Sequence, residues 1–424
     1  MFSIITIIIL NMNICIDGIS GSGRSTVVRF LQHKYPNRKI NNANMKLCPS
    51  ALKDVYDVFQ PEKLDPDTIY IVLDADAHEC IERTRDRDYS GREYKVLHRE
   101  LFKYRNRYIR LAIKYQLYFI DSTKQTIEGI VEAIEYIIKN HDNDWKSNPN
   151  DRSKYILPNP NLVDVDKLPV IVEGCSKIVR SYDDKFNIIE YKPTVYSHKQ
   201  QREGVIEGTN FERMRMTRDI LYLLEKHAIP HAYVFVGDKY VLCKKLDPAV
   251  DIPNVEVIVK NCHIGTDPYR YYKMSEMKTR YGSQLVAERN KYPEPVVRFD
   301  FRNPNRHPEK FTPMGDEAMC DDLANYLINV TRAKELARET FKVLEKYFNK
   351  MNVFFEDVCF MITTDGYMHW SEISQDCGRY KLMDDNGYTA LDKDVWRAGG
   401  SSELVTQKWS QMSGIVNKYV RENY

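Results

Sequence analysis

Apolar and polar positions follow two different rhythms along this chain, and the rhythm changes after about its first third. Three short apolar runs come first: Asn13–Asp17 (NICID), Thr68–Asp74 (TIYIVLD) and Leu117–Asp121 (LYFID). Such runs, bounded by turn residues, predict buried strands. Between and after them, residues 25–33, 76–87, 93–115 and 125–139 carry apolar positions at helical spacing. Strands alternating with helices predict a parallel sheet with helices on both faces.

From Asn140 to Leu168 the apolar period disappears and Asn, Asp and Pro dominate, which predicts an interdomain linker. Beyond it the strands are short and closely spaced: Val170–Glu173, Ile188–Tyr191, Ala232–Val236, Tyr240–Lys244 and Val255–Lys260. Gly237-Asp238 reads as a hairpin turn. Helices are predicted over 210–227 and 315–349. A Thr364-Asp365 turn is expected between strands Val353–Thr363 and Gly366–Ile373. The predicted organisation is an α/β domain over 12–140, a linker over 141–168 and an α+β domain over 169–424.

Composition narrows the function classes. The 424 residues carry 62 basic and 60 acidic side chains, net +2, so no global field draws the chain to nucleic acid or membrane. The nine cysteines show no C-x-x-C spacing, which predicts reduced thiols in a cytoplasmic protein and no zinc site. The apolar start Met1–Leu10 is about half the length of a spanning helix and lacks a basic leader segment. It reads as an extension, with Met12 as an alternative start, rather than as a membrane anchor.

The first chemistry lies in Gly18-Ile19-Ser20-Gly21-Ser22-Gly23-Arg24-Ser25-Thr26, between the first strand and the first helix. This is the phosphate-loop pattern G-x-x-x-x-G-K-[ST] with arginine replacing lysine. Glycines let backbone N–H groups point inward, and the helix start adds partial positive charge. Gly18, Gly21, Gly23, Arg24, Ser25 and Thr26 are the predicted ATP-binding residues, with Ser25 on magnesium. Arginine is longer and forked, so binding should survive the replacement better than catalysis.

With Ile16-Asp17-Gly18, Tyr70–Asp74, the lid-like Glu82-Arg83-Thr84-Arg85-Asp86-Arg87 and Ile120-Asp121, residues 13–139 resemble the thymidylate and deoxynucleoside kinase group. The resemblance implies a P-loop kinase-like domain in which Arg83, Arg85 and Arg87 close over a transferring phosphate. A solvated charged helix face is the alternative. The group's acid–arginine pair before the lid strand has no counterpart. Asp54 and Asp57 are the available substitutes.

The second resemblance is carried by ordered blocks. Ser371-Glu372-Ile373-Ser374-Gln375-Asp376-Cys377-Gly378-Arg379 stands against D-E-I-S-P-D-T-C-R. Glu256–Asn261 with Gly265-Thr266 stands against E-V-V-V-R-N…G-S, and Glu294–Phe299 against E-P-I-V-E-F. Gly174–Lys177, Ala228–Ala232 and Leu391–Arg397 match further blocks in the same order. Residues 170–415 thus resemble SAICAR synthetase, a purine-pathway ligase.

That resemblance implies an ATP- and magnesium-dependent reaction on a small-molecule nucleotide, with aspartate as the amine. Lys260, Thr266, Arg302, Asp376 and Arg379 are implied on the nucleotide substrate, Asp376 and Arg379 also in catalysis, and Lys177 on ATP. The ATP and metal half departs from the pattern. Cys175 and Cys359 replace lysines, Met361 replaces a metal-binding glutamate, and Ser371 replaces an aspartate. Glu356 or Asp357 could be recruited instead. Magnesium prefers hard oxygen ligands, so these changes weaken the metal site. Three readings remain open: a fused ligase and kinase-like enzyme, a nucleotide-binding or regulatory protein without turnover, and a diverged ligase in base modification. A homo-oligomer is compatible with each.

Overall fold

The computed structural model describes residues 13–19, 21–42, 65, 67–88, 94–141, 154–197, 202–302, 315–384 and 387–423, apart from the side chains of 78 and 85–100. The expectations for residues 1–12, for Asp54 and Asp57 and for residues 142–153 lie outside them. The chain forms two compact units, residues 1–163 and 164–423.

The first unit holds β1 (Asn13–Gly18), α1 (Arg24–Lys34), β2 (Ile40–Asn42), β3 (Thr68–Asp74), α2 (Ala77–Asp88), α3 (Tyr94–Tyr115), β4 (Tyr118–Asp121) and α4 (Ile127–His141). The sheet order is β2-β1-β3-β4, with every pair parallel. Period-two alternation divides the strand residues between two cores. Ile69, Ile71 and Leu73 pack with Val27 and Leu31 of α1 and Ile134 of α4. Val72 packs on the other side, with Cys80 and Ile81 of α2 and Tyr108 of α3.

The strand order reverses between β1 and β3, and the glycine loop leaves β1 at that point. In open α/β sheets this is where ligands settle. The C-terminal end of the expected linker also has structure. Tyr155 and Ile156 pack against the first core, and Phe119 N donates to Tyr155 O at 2.7 Å.

The second unit contains a five-stranded antiparallel sheet, β10-β11-β7-β6-β5. Its strands are β5 (Val170–Glu173), β6 (Lys177–Ser181), β7 (Phe186–Tyr191), β10 (Tyr233–Val236) and β11 (Tyr240–Lys244). The hairpin β8 (Thr194–Ser197) and β9 (Arg202–Val205) precedes helix α5 (Thr209–Lys226). The predicted Gly237-Asp238 turn joins β10 to β11, with Gly237 N donating to Tyr240 O at 2.9 Å.

A six-stranded antiparallel sheet follows in the order β14-β13-β12-β15-β16-β17. These strands are β12 (Val255–Cys262), β13 (Lys291–Phe301), β14 (Glu317–Met319), β15 (Val353–Phe360), β16 (Gly378–Asp384) and β17 (Gly387–Ala390). Helices α6 (Val330–Lys350) and α7 (Ser402–Asn423) complete the unit. No helix among the described residues is long and apolar enough to cross a membrane.

Two expectations are corrected here. The 315–349 helix is broken, because Asn329 caps α6 by accepting from Arg332 N at 3.1 Å and the chain before it includes β14. Asn329→Ala should cost about 1 kcal/mol of stability, read as a shifted urea midpoint. The Thr364-Asp365 turn exists, but residues 366–373 form only isolated bridges. The partner of β15 is β16, which begins inside the Ser371–Arg379 block.

Each face of the large sheet has its own character. Val257 and Val259 of β12 are buried. On α6, Phe341 stacks on Phe355 of β15 with centroids 4.6 Å apart, and Phe355 stacks on Tyr380 of β16 at 5.1 Å. The opposite face is polar. The β-ladder aligns Arg298 and Asp300 of β13, Glu256 and Lys260 of β12, Asp357 and Cys359 of β15, and Arg379 of β16. A register shift between Phe355 and Asp357 lets two residues of equal parity face opposite ways. The bulge therefore carries Asp357 from the aromatic core to the polar face.

Candidate functional site

Three carboxylates organise the polar chemistry, one in the first unit and two in the second. In the first unit Asp17 is fully buried at the end of β1. It accepts from Gly18 N, Arg24 Nη1 and Tyr108 Oη, each at 2.9 Å. Arg24 also donates to Gly18 O at 2.6 Å. The predicted phosphate-loop arginine is therefore folded back into the loop, with its charge spent on Asp17. Ser25 and Thr26 are exposed on α1, and Ser25 Oγ accepts from Asn42.

Gly21 has φ +85°, and a Cβ there would lie 2.5 Å from Cys80 O, so the loop admits no side chain at that position. Arg83 braces the loop from α2, donating to Ser122 O at 2.9 Å and Thr123 O at 3.0 Å and pairing with Glu79. The side chains of Arg85 and Arg87 lie outside the described residues. Sequence reasoning missed Arg105, which grips Asp74 with two nitrogens. Burial pushes Asp74 up to about 6 in spite of that arginine.

In the second unit Asp357 holds two cations. Arg379 Nη1 lies 2.5 Å and Lys260 Nζ 3.3 Å from its Oδ2. Lys260 also donates to Ile264 O and sits 3.6 Å from Asp267. Arg379 Nε reaches Asp394 at 3.1 Å. Burial opposes the Arg379 charge, but Asp357 and Asp394 outweigh it and raise the arginine's pKa.

The turn after β12 closes against this cluster. Gly265 takes φ +71°, and a Cβ on it would come within 3.2 Å of Arg379 Nη2. Thr266 follows in the right-handed region. A left-handed residue followed by a right-handed one turns successive N–H groups inward as an anion-accepting nest. Among the described residues, the N–H groups of Gly265 and Thr266, the Thr266 hydroxyl and Arg379 Nη2 have no partner. These four donors lie on the turn and on the guanidinium packed against it, with no acceptor among the described residues. The predicted residues Lys260, Thr266 and Arg379 are brought together here. Arg302 is not: it pairs loosely with Glu256 at the far end of β12, four residues or roughly 13 Å along the strand from Lys260.

Glu372 is the third carboxylate. It is 6% exposed, and Arg213 of α5 binds both its oxygens. Lys177 of β6 approaches at 3.1 Å, and Ser374 Oγ donates at 2.8 Å. Burial raises the Glu372 pKa, but Arg213 and Lys177 overcome it and hold the carboxyl far below its usual range. Lys177, predicted for ATP, is thus engaged by Glu372 and by Ser371 Oγ at 2.8 Å. Asp376 pairs with Lys393 at 2.8 Å on this side, and no contact joins it to Arg379 among the described residues. Arg213 escaped the sequence reading: Arg215 and Arg218 flank it on the same helix, and only its burial with Met214, Met216, Thr217 and Ile220 sets it apart.

The metal positions read from the sequence can be tested by their donors. Burial pushes the Cys359 thiol well above its ordinary value, and Glu256 lies beside it. Ser371 is held by Lys177, and Met361 offers only a thioether. Hard divalent cations want carboxylate or carbonyl oxygens. These three side chains do not fit magnesium. Glu356, the alternative acid, is pushed up to about 7 by burial.

A profile of the SAICAR synthetase family matches residues 170–413, more than half of the 424 residues. The chain belongs to the SAICAR synthetase family. This family is ATP-dependent and acts on small-molecule nucleotides. The phosphoribosylaminoimidazole-succinocarboxamide synthase of Caldanaerobacter subterraneus subsp. tengcongensis is 28% identical over 242 residues, covering 55% of this chain and 92% of that one. Bifunctional cordycepin biosynthesis cluster protein 3 of Cordyceps militaris is 27% identical over 299 residues, 60% of this chain. The match spans only 33% of that longer relative. A solved SAICAR synthetase in complex with ADP shares 21% identity over 58% of this chain and 97% of its own, with a TM-score of 0.47. The SAICAR synthetase from Pyrococcus horikoshii OT3 shares 20% over 57% and 98%, with a TM-score of 0.46.

Proposed function

We propose that the second unit binds a 5′-phosphorylated nucleotide on the polar face of its large sheet and joins the nucleotide's carboxylate to an amine, aspartate in the family reaction, at the expense of ATP. The observation that carries this reading is the set of unpartnered donors at Gly265, Thr266 and Arg379 beside Lys260. A phosphate group would complete all four. Arg379 orients it through its fork, fixed on the other side by Asp357 and Asp394. Asp376 and Lys393 stand near the Glu372 hub as positioning groups for the second reactant.

In this chemistry ATP converts the carboxylate to an acyl phosphate, and the amine displaces that phosphate. Positioning and charge neutralisation supply most of the rate. No step is assigned to magnesium, since Cys359, Met361 and Ser371 do not fit it. Those same residues favour a second reading, in which the nucleotide is bound without turnover.

For the first unit, we infer a nucleotide-binding, P-loop kinase-like role with impaired transfer. The strand–glycine loop–helix at the switch point supports it, as does the bifunctional character of the Cordyceps relative. Arg24, neutralised by Asp17, supports the impairment.

Mass spectrometry separates the two readings of the second unit. Purified chain is supplied with ATP, magnesium, carboxyaminoimidazole ribonucleotide and aspartate. The ligase reading expects the succinocarboxamide product, lost in Asp376→Ala. Absence of product from folded protein that still binds the ribonucleotide would establish the binding reading instead.

A further inference from the structure

A long arm, residues 263–290, joins β12 to β13. From Pro268 to Asn290 its only buried residue is Val286. The arm still has a defined shape, because its backbone closes on itself. Thr279 N donates to Ser283 O at 2.7 Å, and Leu285 N donates to Met277 O at 3.0 Å. Gly282 takes φ +84° in the turn between them. Side chains presented on such a frame lose little freedom when a partner arrives.

Residues 268–290 hold five basic and two acidic side chains, net +3, in a chain whose net charge is +2. The positive excess of the whole chain is therefore gathered on this arm. Among the described residues, Lys273, Lys278, Arg280 and Arg289 pair with no acid. Arg270 reaches Glu317 only at 4.0 Å. Interleaved with these cations are Tyr269, Tyr272 and Tyr281, each between 76% and 79% exposed. The Arg280 guanidinium lies 4.7 Å from the centre of the Tyr281 ring.

We propose that this arm binds a single-stranded polynucleotide, with its lysines and arginines along the phosphates and Tyr272 and Tyr281 under the bases. Unpaired cations attract the backbone of any nucleic acid. Exposed rings add affinity only where bases are free to stack on them, so the combination selects single strands over duplex. The cations are spread along the arm from Lys273 to Arg289, which suits an extended polyanion better than a mononucleotide. RNA and DNA single strands share this chemistry. None of these side chains belongs to the Lys260–Arg379 cluster, so the inference stands without the ligase reading.

The test is fluorescence anisotropy of 5′-labelled oligouridylate and oligothymidylate strands titrated with the full chain. Wild type should bind with a log–log salt slope of about −3, as expected for four phosphates neutralised on a single strand. The tighter of the two strands tells RNA from DNA. Lys273→Ala/Lys278→Ala should weaken binding at least about tenfold at low salt and cut that slope roughly by half. Tyr272→Ala/Tyr281→Ala should weaken the single strand about tenfold or more and leave duplex binding unchanged, whereas Tyr272→Phe/Tyr281→Phe keeps the rings and the affinity. All four positions are exposed, so the urea midpoint should not move. Arg379→Met should bind the strand as wild type does, which separates the arm from the anion site. No binding by wild type, duplex bound as tightly as single strand, or affinity unchanged in either alanine pair would overturn the proposal.

Discussion

Replacing Glu372 with glutamine is expected to cost the second unit about 3–5 kcal/mol of stability, among the largest effects of any single substitution here. The reason is the company Glu372 keeps. Arg213 is wholly buried and Lys177 partly so, and this carboxylate is the acid that each of them pairs with. Glutamine leaves the buried Arg213 and the partly buried Lys177 without their ion-pair partner. Urea titration followed by tryptophan fluorescence reads the effect, since Trp370, Trp396 and Trp409 all lie in this unit.

The pH dependence has a definite sign. Glu372 has a depressed folded-state pKa, so its contribution is fully present above the ordinary glutamate value of 4.5 and fades as the pH falls below it. The stability gap between wild type and Glu372→Gln should therefore be constant near neutrality and shrink below about pH 4.5. A gap that widens on acidification, or a variant as stable as wild type at pH 7, would show that the hub is not held by charge.

Arg379→Met is expected to weaken binding of a phosphorylated nucleotide by about 10–100-fold. A hydrogen bond to a charged group contributes about 1.5–3 kcal/mol, and tenfold corresponds to about 1.4 kcal/mol. Arg379 also neutralises Asp357 and Asp394, so some stability will fall with it. Two companions separate the roles. Thr266→Ala removes an unpartnered hydroxyl and should weaken binding severalfold with little change in the urea midpoint. Arg379→Lys retains the charge and loses the fork, so it should restore stability more fully than affinity. Equal affinity in all four proteins, measured by calorimetry, would remove the anion site from the polar sheet face.

Much of the fold was legible because it rests on local periodicity. The three apolar runs of the first unit became β1, β3 and β4, and the helical spacings became α1 to α4 within a residue or two at most ends. The short β2 escaped, since three residues carry no period. Helix α7 had a readable signal in Val405, Trp409, Met412, Val416 and Val420, at spacings of three and four.

What escaped had non-local causes. The pairing of β15 with β16 skips the residues between them, and the bulge at Glu356 reverses the faces of Phe355 and Asp357. Alternation alone cannot locate such a bulge.

The candidate site was legible in part for the same reason. Ordered blocks pointed to Lys260, Thr266 and Arg379, which converge. The blocks did not tell which acid each cation would meet, because those acids come from other strands. Asp357 faces Lys260 across a ladder, 97 residues away in the chain. Arg213 meets Glu372 over 159 residues. Arg24 is the clearest instance of a residue whose partner its sequence pattern did not foretell. The loop pattern is present, yet its cation turns inward to the buried Asp17.

The most direct test of the central claim compares carboxyaminoimidazole ribonucleotide with its dephosphorylated nucleoside by calorimetry, on wild type and on Arg379→Met. The account predicts that the nucleotide binds wild type at least about tenfold more tightly than the nucleoside, and that Arg379→Met removes most of this preference. Equal binding of the two ligands by wild type, or a preference that survives intact in Arg379→Met, would contradict it.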